Sequence, residues 1–169
     1  DSVRYYSTYL PELYKLILAQ THEFLAETIN EQQRKIRKRS RPKILLATNL
    51  DDAMAMYEKY KSNLLGVISD VGFTVHRGEG PDKEKLDAGL DLVKHIKQDD
   101  PMMPILLQSS QDSISVDAEQ LGVGFLRKYS KTLMLQLSDY IKEEFAFGDF
   151  VFRDADRMEY GRAANLKEL

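Results

Sequence analysis

Apolar positions along this chain follow two different periods, and the change between them divides it. From Tyr5 to about Arg39, residues Leu10, Leu13, Ile17, Phe24, Leu25, Ile29 and Ile36 recur mostly at three, four or seven positions, the spacing of one helix face. That pattern predicts an unusually long first helix over about 5–39. Pro11 sits near its start, where a proline is harmless in the first turn and bends a helix interior. Arg41 precedes Pro42 and is pushed away from helical angles, so the segment ends there.

After residue 43 short apolar runs alternate with amphipathic stretches. Ile44 to Ala47 predicts a strand, and Thr48 to Asp52 supply helix-start residues before Ala53, Met54, Met56, Tyr57 and Tyr60. Leu64 to Ile68 is apolar throughout, as a strand covered on both faces would be, and its run stops on Ser69-Asp70. Gly72, Gly78, Gly80 and Pro81 among charged residues predict a mobile surface loop over 72–87. Leu86, Leu90, Val93 and Ile96 return to helical spacing, and Pro101 and Pro104 bracket a turn. Ile105 to Gln108 predicts a strand ending at Ser109, Ile114 to Leu121 a short helix, and Gly122 to Leu126 a strand before Lys128. Thr132 to Phe145 is amphipathic through Leu133, Leu137 and Ile141. Four alternations of strand and helix argue an α/β fold with a parallel sheet covered on both faces. Beyond Gly148 no period is sustained, so 148–169 reads as a linker or the start of a following domain.

Composition narrows the class without naming a chemistry. The 169 residues are 43% hydrophobic and 30% charged with a formal net charge of -3, which suits a globular rather than a disordered chain. No apolar run approaches the ~20 residues of a membrane span and no signal peptide is visible, so the expectation is no membrane and a cytoplasmic location. Zero cysteines exclude disulfides and thiolate metal sites. Arg34, Lys35, Arg37, Lys38, Arg39, Arg41 and Lys43 form a basic run, but it lacks interleaved aromatics, and a solvated helix end is the better reading than a nucleic-acid surface. His22, His76 and His95 have no metal-ligand spacing. A phosphotransfer role for His22 would need a helical-bundle pattern that is missing.

Three of the apolar runs end on polar residues of different kinds: Asp70, Ser109 and Lys128. Parallel strands joined by helices would bring those ends to one edge of the sheet, where open α/β folds bind ligands. A carboxylate, a hydroxyl and an ammonium there suit a phosphoryl group, with the carboxylate as acceptor and the other two holding its oxygens. Two one-residue ambiguities stay open, Ser110 beside Ser109 and Arg127 beside Lys128.

These residues resemble the receiver domain of two-component response regulators, a flavodoxin-like doubly wound parallel sheet. Ala47-Thr48-Asn49-Leu50-Asp51-Asp52-Ala53 is similar to that family's second strand and helix start, and Gly66-Val67-Ile68-Ser69-Asp70-Val71 to its third strand with the phosphoacceptor. Pro104-Ile105-Leu106-Leu107-Gln108-Ser109-Ser110 resembles the fourth strand, and Gly124-Phe125-Leu126-Arg127-Lys128 the fifth. In this register the receiver spans 1–147, with its α/β core at 43–147, and the first strand is expected upstream of residue 1. A competing register, with Ile44 to Ala47 as first strand and Asp51-Asp52 as its acidic pair, leaves too little chain before Asp70 for a further helix, strand and helix.

The resemblance implies a phosphoprotein of phosphorelay signal transduction rather than an enzyme. Asp70 would accept a phosphoryl group from a histidine kinase or phosphotransfer protein, with Lys128 and Ser109 on its oxygens. It implies Mg²⁺ held by Asp1, Asp70 and the backbone carbonyl of Gly72, and a switch through Ser109 and Phe125 that acts on an attached or partner output. A homodimer is a further expected partner state. The chain departs from the family at Tyr129, where a proline is usual, and at Gly72-Phe73-Thr74, where a methionine-proline pair is usual. Val3 to Ser7, Arg41-Pro42-Lys43 and Phe147 to Arg153 also look like receiver segments preceding a phosphoenolpyruvate synthase or pyruvate phosphate dikinase-like region, whose catalytic portions this chain does not contain. The alternative is a degenerate receiver serving as a phosphorylation-independent docking or dimerisation module.

Overall fold

The computed structural model describes residues 10–19, 42–145, 150–154 and 158–163. Helix α1, the described part of the long amino-terminal stripe, covers 10–19. The remaining elements are α2 (Leu50–Tyr60), β1 (Val67–Asp70), β2 (Phe73–Thr74), β3 (Glu84–Lys85), α3 (Ala88–Asp99), β4 (Ile105–Ser109), α4 (Ile114–Gln120), β5 (Gly124–Arg127), α5 (Leu133–Glu143), β6 (Phe150–Arg153) and β7 (Glu159–Ala163). Strands β1, β4 and β5 form a parallel sheet in the order β1-β4-β5. Every residue of the central strand β4 is buried.

Alternation along the strands sends neighbouring side chains to opposite faces, and each face is covered by helices. Ile105, Leu107 and Phe125 join Leu50 and Tyr57 of α2, Leu92, Val93 and Ile96 of α3, and Ile114 and Ala118 of α4. Ile68, Leu106 and Leu126 join Leu13, Leu16 and Ile17 of α1 and Leu137 and Ile141 of α5. Leu107 and Leu137 are 0% exposed, and burial of a leucine contributes about 1.5–3 kcal/mol relative to leaving it in water. These two layers hold the strand ends at a common level, the condition for a shared site.

Local chemistry sets the helix ends. The Asn49 side chain accepts the Asp52 N–H at 2.8 Å and so caps α2. Gly122, with φ of 63°, ends α4, and the Val123 N–H reaches back to the Ala118 carbonyl at 2.9 Å, a left-handed helix cap that favours glycine. Tyr57 of α2 donates to Asp99 of α3 at 2.8 Å, and burial pushes its hydroxyl pKa up to about 12.

Several boundaries differ from the sequence expectations. Ile44 to Ala47 pairs with no strand among the described residues, and Leu45 and Leu46 remain exposed; an apolar run becomes a strand only where a neighbour takes its backbone groups. The predicted strand at Leu64 to Ile68 moves toward its carboxyl end and includes Asp70. The expected mobile loop at 72–87 instead folds as a short antiparallel pair, Phe73 with Lys85 and Thr74 with Glu84, because Phe73 and Val75 pack against the core. The segment 148–169, which the sequence presents as a linker or the start of a following domain, holds the antiparallel pair β6–β7; Glu159-Tyr160-Gly161 is too polar and glycine-interrupted to advertise a strand. The expected helix over 20–39, His22, most of the basic run and Asp1 lie outside the described residues. Among the described residues no helix is long and apolar enough to cross a membrane.

Candidate functional site

Asp70 closes β1, Ser109 closes β4, and Lys128 directly follows β5. Register brings them level, since Asp70 pairs with Gln108, Ser109 pairs with Arg127, and the Lys128 N–H donates to the Ser109 carbonyl at 2.8 Å. β1 and β5 flank β4, about two strand spacings or ~10 Å apart. The lysine stem spans that gap over the end of β4, and its ammonium donates to Asp70 Oδ2. The other carboxylate oxygen, Oδ1, accepts the Val71 N–H at 2.8 Å.

Burial makes this pair different from a surface contact. The side chains of Lys128 and Asp70 are 10% and 21% exposed, so their attraction is screened less than that of a solvated pair. Enough of the carboxylate stays open for a ligand to reach it. Ser109 is buried, and its hydroxyl accepts the Gln111 N–H at 3.1 Å. That bond still leaves the hydroxyl proton available to an acceptor.

The two open choices separate geometrically. Arg127 points to Asp112, at 3.1 Å, with its side chain 60% exposed, whereas Lys128 meets Asp70. Ser110 is exposed just past the strand, and Ser109 lies within it. Phe125 pairs across the ladder with Leu107 and packs, partly buried, against the α2–α3–α4 layer. It also lines a surface depression of about 440 Å³ with Ser115, Glu119, Gly122 and Val123.

Two residues at this edge escaped the sequence expectations. A Cβ on Gly89 would stand 2.1 Å from the Asp70 carbonyl oxygen, and the Gly89 N–H donates to the Val71 carbonyl at 2.8 Å. Only a residue without a side chain lets α3 approach β1 so closely. A glycine inside an otherwise helical spacing was the available signal. Glu84, brought back by the β2–β3 pair, places its carboxylate against Gly72, where a Cβ would lie 3.1 Å from Oε1. No local pattern marks that contact.

The described residues offer hard oxygen donors of the kind Mg²⁺ prefers, the Asp70 carboxylate and the Gly72 carbonyl. They include no group of three His, Cys, Asp or Glu side chains able to hold a metal ion, and Asp1 lies outside them. Asp51 and Asp52, the acids of the competing register, are engaged elsewhere. Asp51 meets His76 at 2.7 Å and Asp52 meets Arg77 at 2.9 Å, while the Asp51 N–H donates to the Val75 carbonyl at 3.1 Å. They fasten the 72–87 segment to the start of α2. The Asp51 carboxylate raises the His76 pKa above its ordinary value, and the Arg77 guanidinium with the Asn49 amide lowers that of Asp52.

No family model, no curated protein and no solved structure matches this chain, so its function is read from the chemistry of the site.

Proposed function

We propose that this chain is a phosphoryl-accepting receiver, cytoplasmic and flavodoxin-like in topology, with Asp70 as the acceptor. One observation carries the reading: a carboxylate only 21% exposed at a parallel strand end is met across the sheet by a nearly buried lysine. In a flat two-strand surface contact the same pair would be a solvated ornament. A cation held against the attacking carboxylate would meet the charge that develops on a transferred phosphoryl oxygen, the way electrostatic preorganisation acts.

The chemistry follows from that placement. An Asp70 carboxylate oxygen attacks phosphorus in a phosphohistidine of a partner kinase or phosphotransfer protein. The O–P bond forms as the P–N bond breaks, and its electron pair leaves on the imidazole nitrogen. Lys128 exchanges its contact with the carboxylate for one with a phosphoryl oxygen, and the Ser109 hydroxyl donates to another. Movement of Ser109 toward the phosphate opens space for Phe125, the two-state element that would report to an output or to a second copy of the chain. Mg²⁺, held by Asp70, the Gly72 carbonyl and Asp1, would supply charge neutralisation between carboxylate and phosphoryl group.

Incubation with acetyl phosphate and Mg²⁺ tests this reading. A retarded band on a phosphate-affinity gel that disappears in Asp70→Asn supports it. An unshifted wild-type protein contradicts it and returns the chain to the docking-module alternative.

A further inference from the structure

The peptide group that joins Asp70 to Val71 has two ends, and each meets a different part of the site. Its N–H donates to Oδ1 of the Asp70 carboxylate at 2.8 Å. Its carbonyl oxygen accepts the Ser69 hydroxyl at 2.8 Å and stands against Gly89 of α3, where a Cβ would come within 2.1 Å of it. The same Cβ would lie 2.9 Å from the Val71 Cα and 3.1 Å from the Asp70 carbonyl carbon. All three are backbone atoms that no change of rotamer can move aside.

Two further contacts hold α3 in that place. The Gly89 N–H donates to the Val71 carbonyl at 2.8 Å, and Val71, 3% exposed, packs in one core layer with Ala88, Leu92 and Val93 of the helix. A peptide group is planar, so its carbonyl and its N–H turn together. Pushing the oxygen away from α3 would therefore swing the N–H off Oδ1. A contact on one side of the peptide thus governs the orientation of a carboxylate on the other.

We propose that Gly89 is a positioning residue: its lack of a side chain seats α3 against the Asp70–Val71 peptide and, with the Ser69 hydroxyl, fixes the plane whose N–H orients the Asp70 carboxylate. What this does for phosphoryl acceptance rests on the receiver reading, but the orientation itself does not. In that reading Lys128 leaves Oδ2 for a phosphoryl oxygen, and the Val71 N–H remains to keep the carboxylate in line with phosphorus.

The test follows the Val71 amide proton by NMR and the rate of acetyl phosphate labelling in the full chain, with thermal melts to establish folding. Asp70→Ala, which removes the carboxylate, marks where the Val71 amide resonates without its bond. Gly89→Ala should move that amide upfield toward the same value and slow labelling roughly tenfold or more, the scale of an ångström-sized displacement of a reacting group. Ile96 is 1% exposed and lies two turns farther along α3. Ile96→Val should lower the melting temperature yet leave both readouts at their wild-type values, which separates orientation from loss of stability. A Val71 amide at its wild-type position in folded Gly89→Ala, an unchanged labelling rate beside a shifted amide, or an equal shift in Ile96→Val overturns the proposal. Should Gly89→Ala fail to fold, Ser69→Ala decides from the other partner of the same carbonyl: an upfield Val71 amide supports the proposal, and an unmoved one refutes it. A wild-type chain that takes no phosphoryl group ends the receiver reading, while the Val71 amide still decides the role of Gly89.

Discussion

Two edges of this molecule pair carboxylates with cations, and burial alone separates their consequences. At the sheet's carboxyl end, Lys128 and Asp70 are 10% and 21% exposed. At the start of α2, His76 and Asp51 are 65% and 60% exposed. The first pair draws on positions two strands apart and depends on the whole sheet for its alignment. The second closes a local segment across water, where ion pairs are screened and contribute little. Sequence proximity gives Asp51-Asp52 the look of an acidic site, yet the fold spends both on a helix start and a strap. The Asp70–Lys128 edge is assembled from residues that no local window contains together.

The sharpest way to break that contrast is to neutralise the nearly buried cation, Lys128. Lys128→Met should slow acetyl phosphate labelling by about 10²-fold or more, the effect of deleting one preorganised donor. It should also destabilise the fold by about 1–3 kcal/mol in urea, less than a fully buried pair because Asp70 is partly open. Labelling at the wild-type rate would place Lys128 with the surface pairs. Gly89→Ala comes next: its Cβ would meet the Asp70 carbonyl at 2.1 Å, and the resulting displacement should cost about 1–3 kcal/mol by chemical denaturation. An unchanged denaturation midpoint would mean that the α3–β1 approach is not rigid. Ser109→Ala should slow labelling about tenfold, as the loss of one hydrogen bond to a charged oxygen would.

The smallest effect belongs to the exposed edge. Asp51→Asn should lower the His76 titration midpoint followed by NMR, since the Asp51 carboxylate is the main cause of its rise. The sign is fixed: a raised folded pKa stabilises fully below the ordinary histidine value of about 6.5 and fades as pH climbs through the folded value. Weak protection of the 72–87 amides should therefore diminish on the alkaline side in the wild type and lose that pH dependence in the variant. Acetyl phosphate labelling should be unaffected. A large loss of labelling in Asp51→Asn would erase the distinction between the two edges.

Much of this contrast could be read before any coordinates, and the remainder fails for identifiable reasons. The runs at Ile105, Gly124 and Leu133 carry clean periods and become β4, β5 and α5, because apolar alternation reports burial wherever neighbours exist to provide it. Ile44 to Ala47 carries the same apolar signal but pairs with no strand among the described residues, a condition its own residues cannot reveal. The glycines of the 72–87 segment signal a loop, whereas Phe73 and Val75 tie it to the core from only two positions. For the site, the residue types at strand ends pointed to Asp70, Ser109 and Lys128. The choice of Lys128 over Arg127 needed the ion pairs that each makes, with Asp70 and with Asp112, and Gly89 and Glu84 needed contacts between elements far apart in the chain.

The central claim is that Asp70 is a nucleophile toward phosphorus and not merely the partner of a buried lysine. Treating the acetyl phosphate-labelled protein with borohydride, which reduces an acyl phosphate to an alcohol, and sequencing its peptides by mass spectrometry locates the labelled carboxyl group directly. The account predicts reduction at residue 70 alone, dependent on Mg²⁺. Reduction at another carboxylate, or at none, would contradict it.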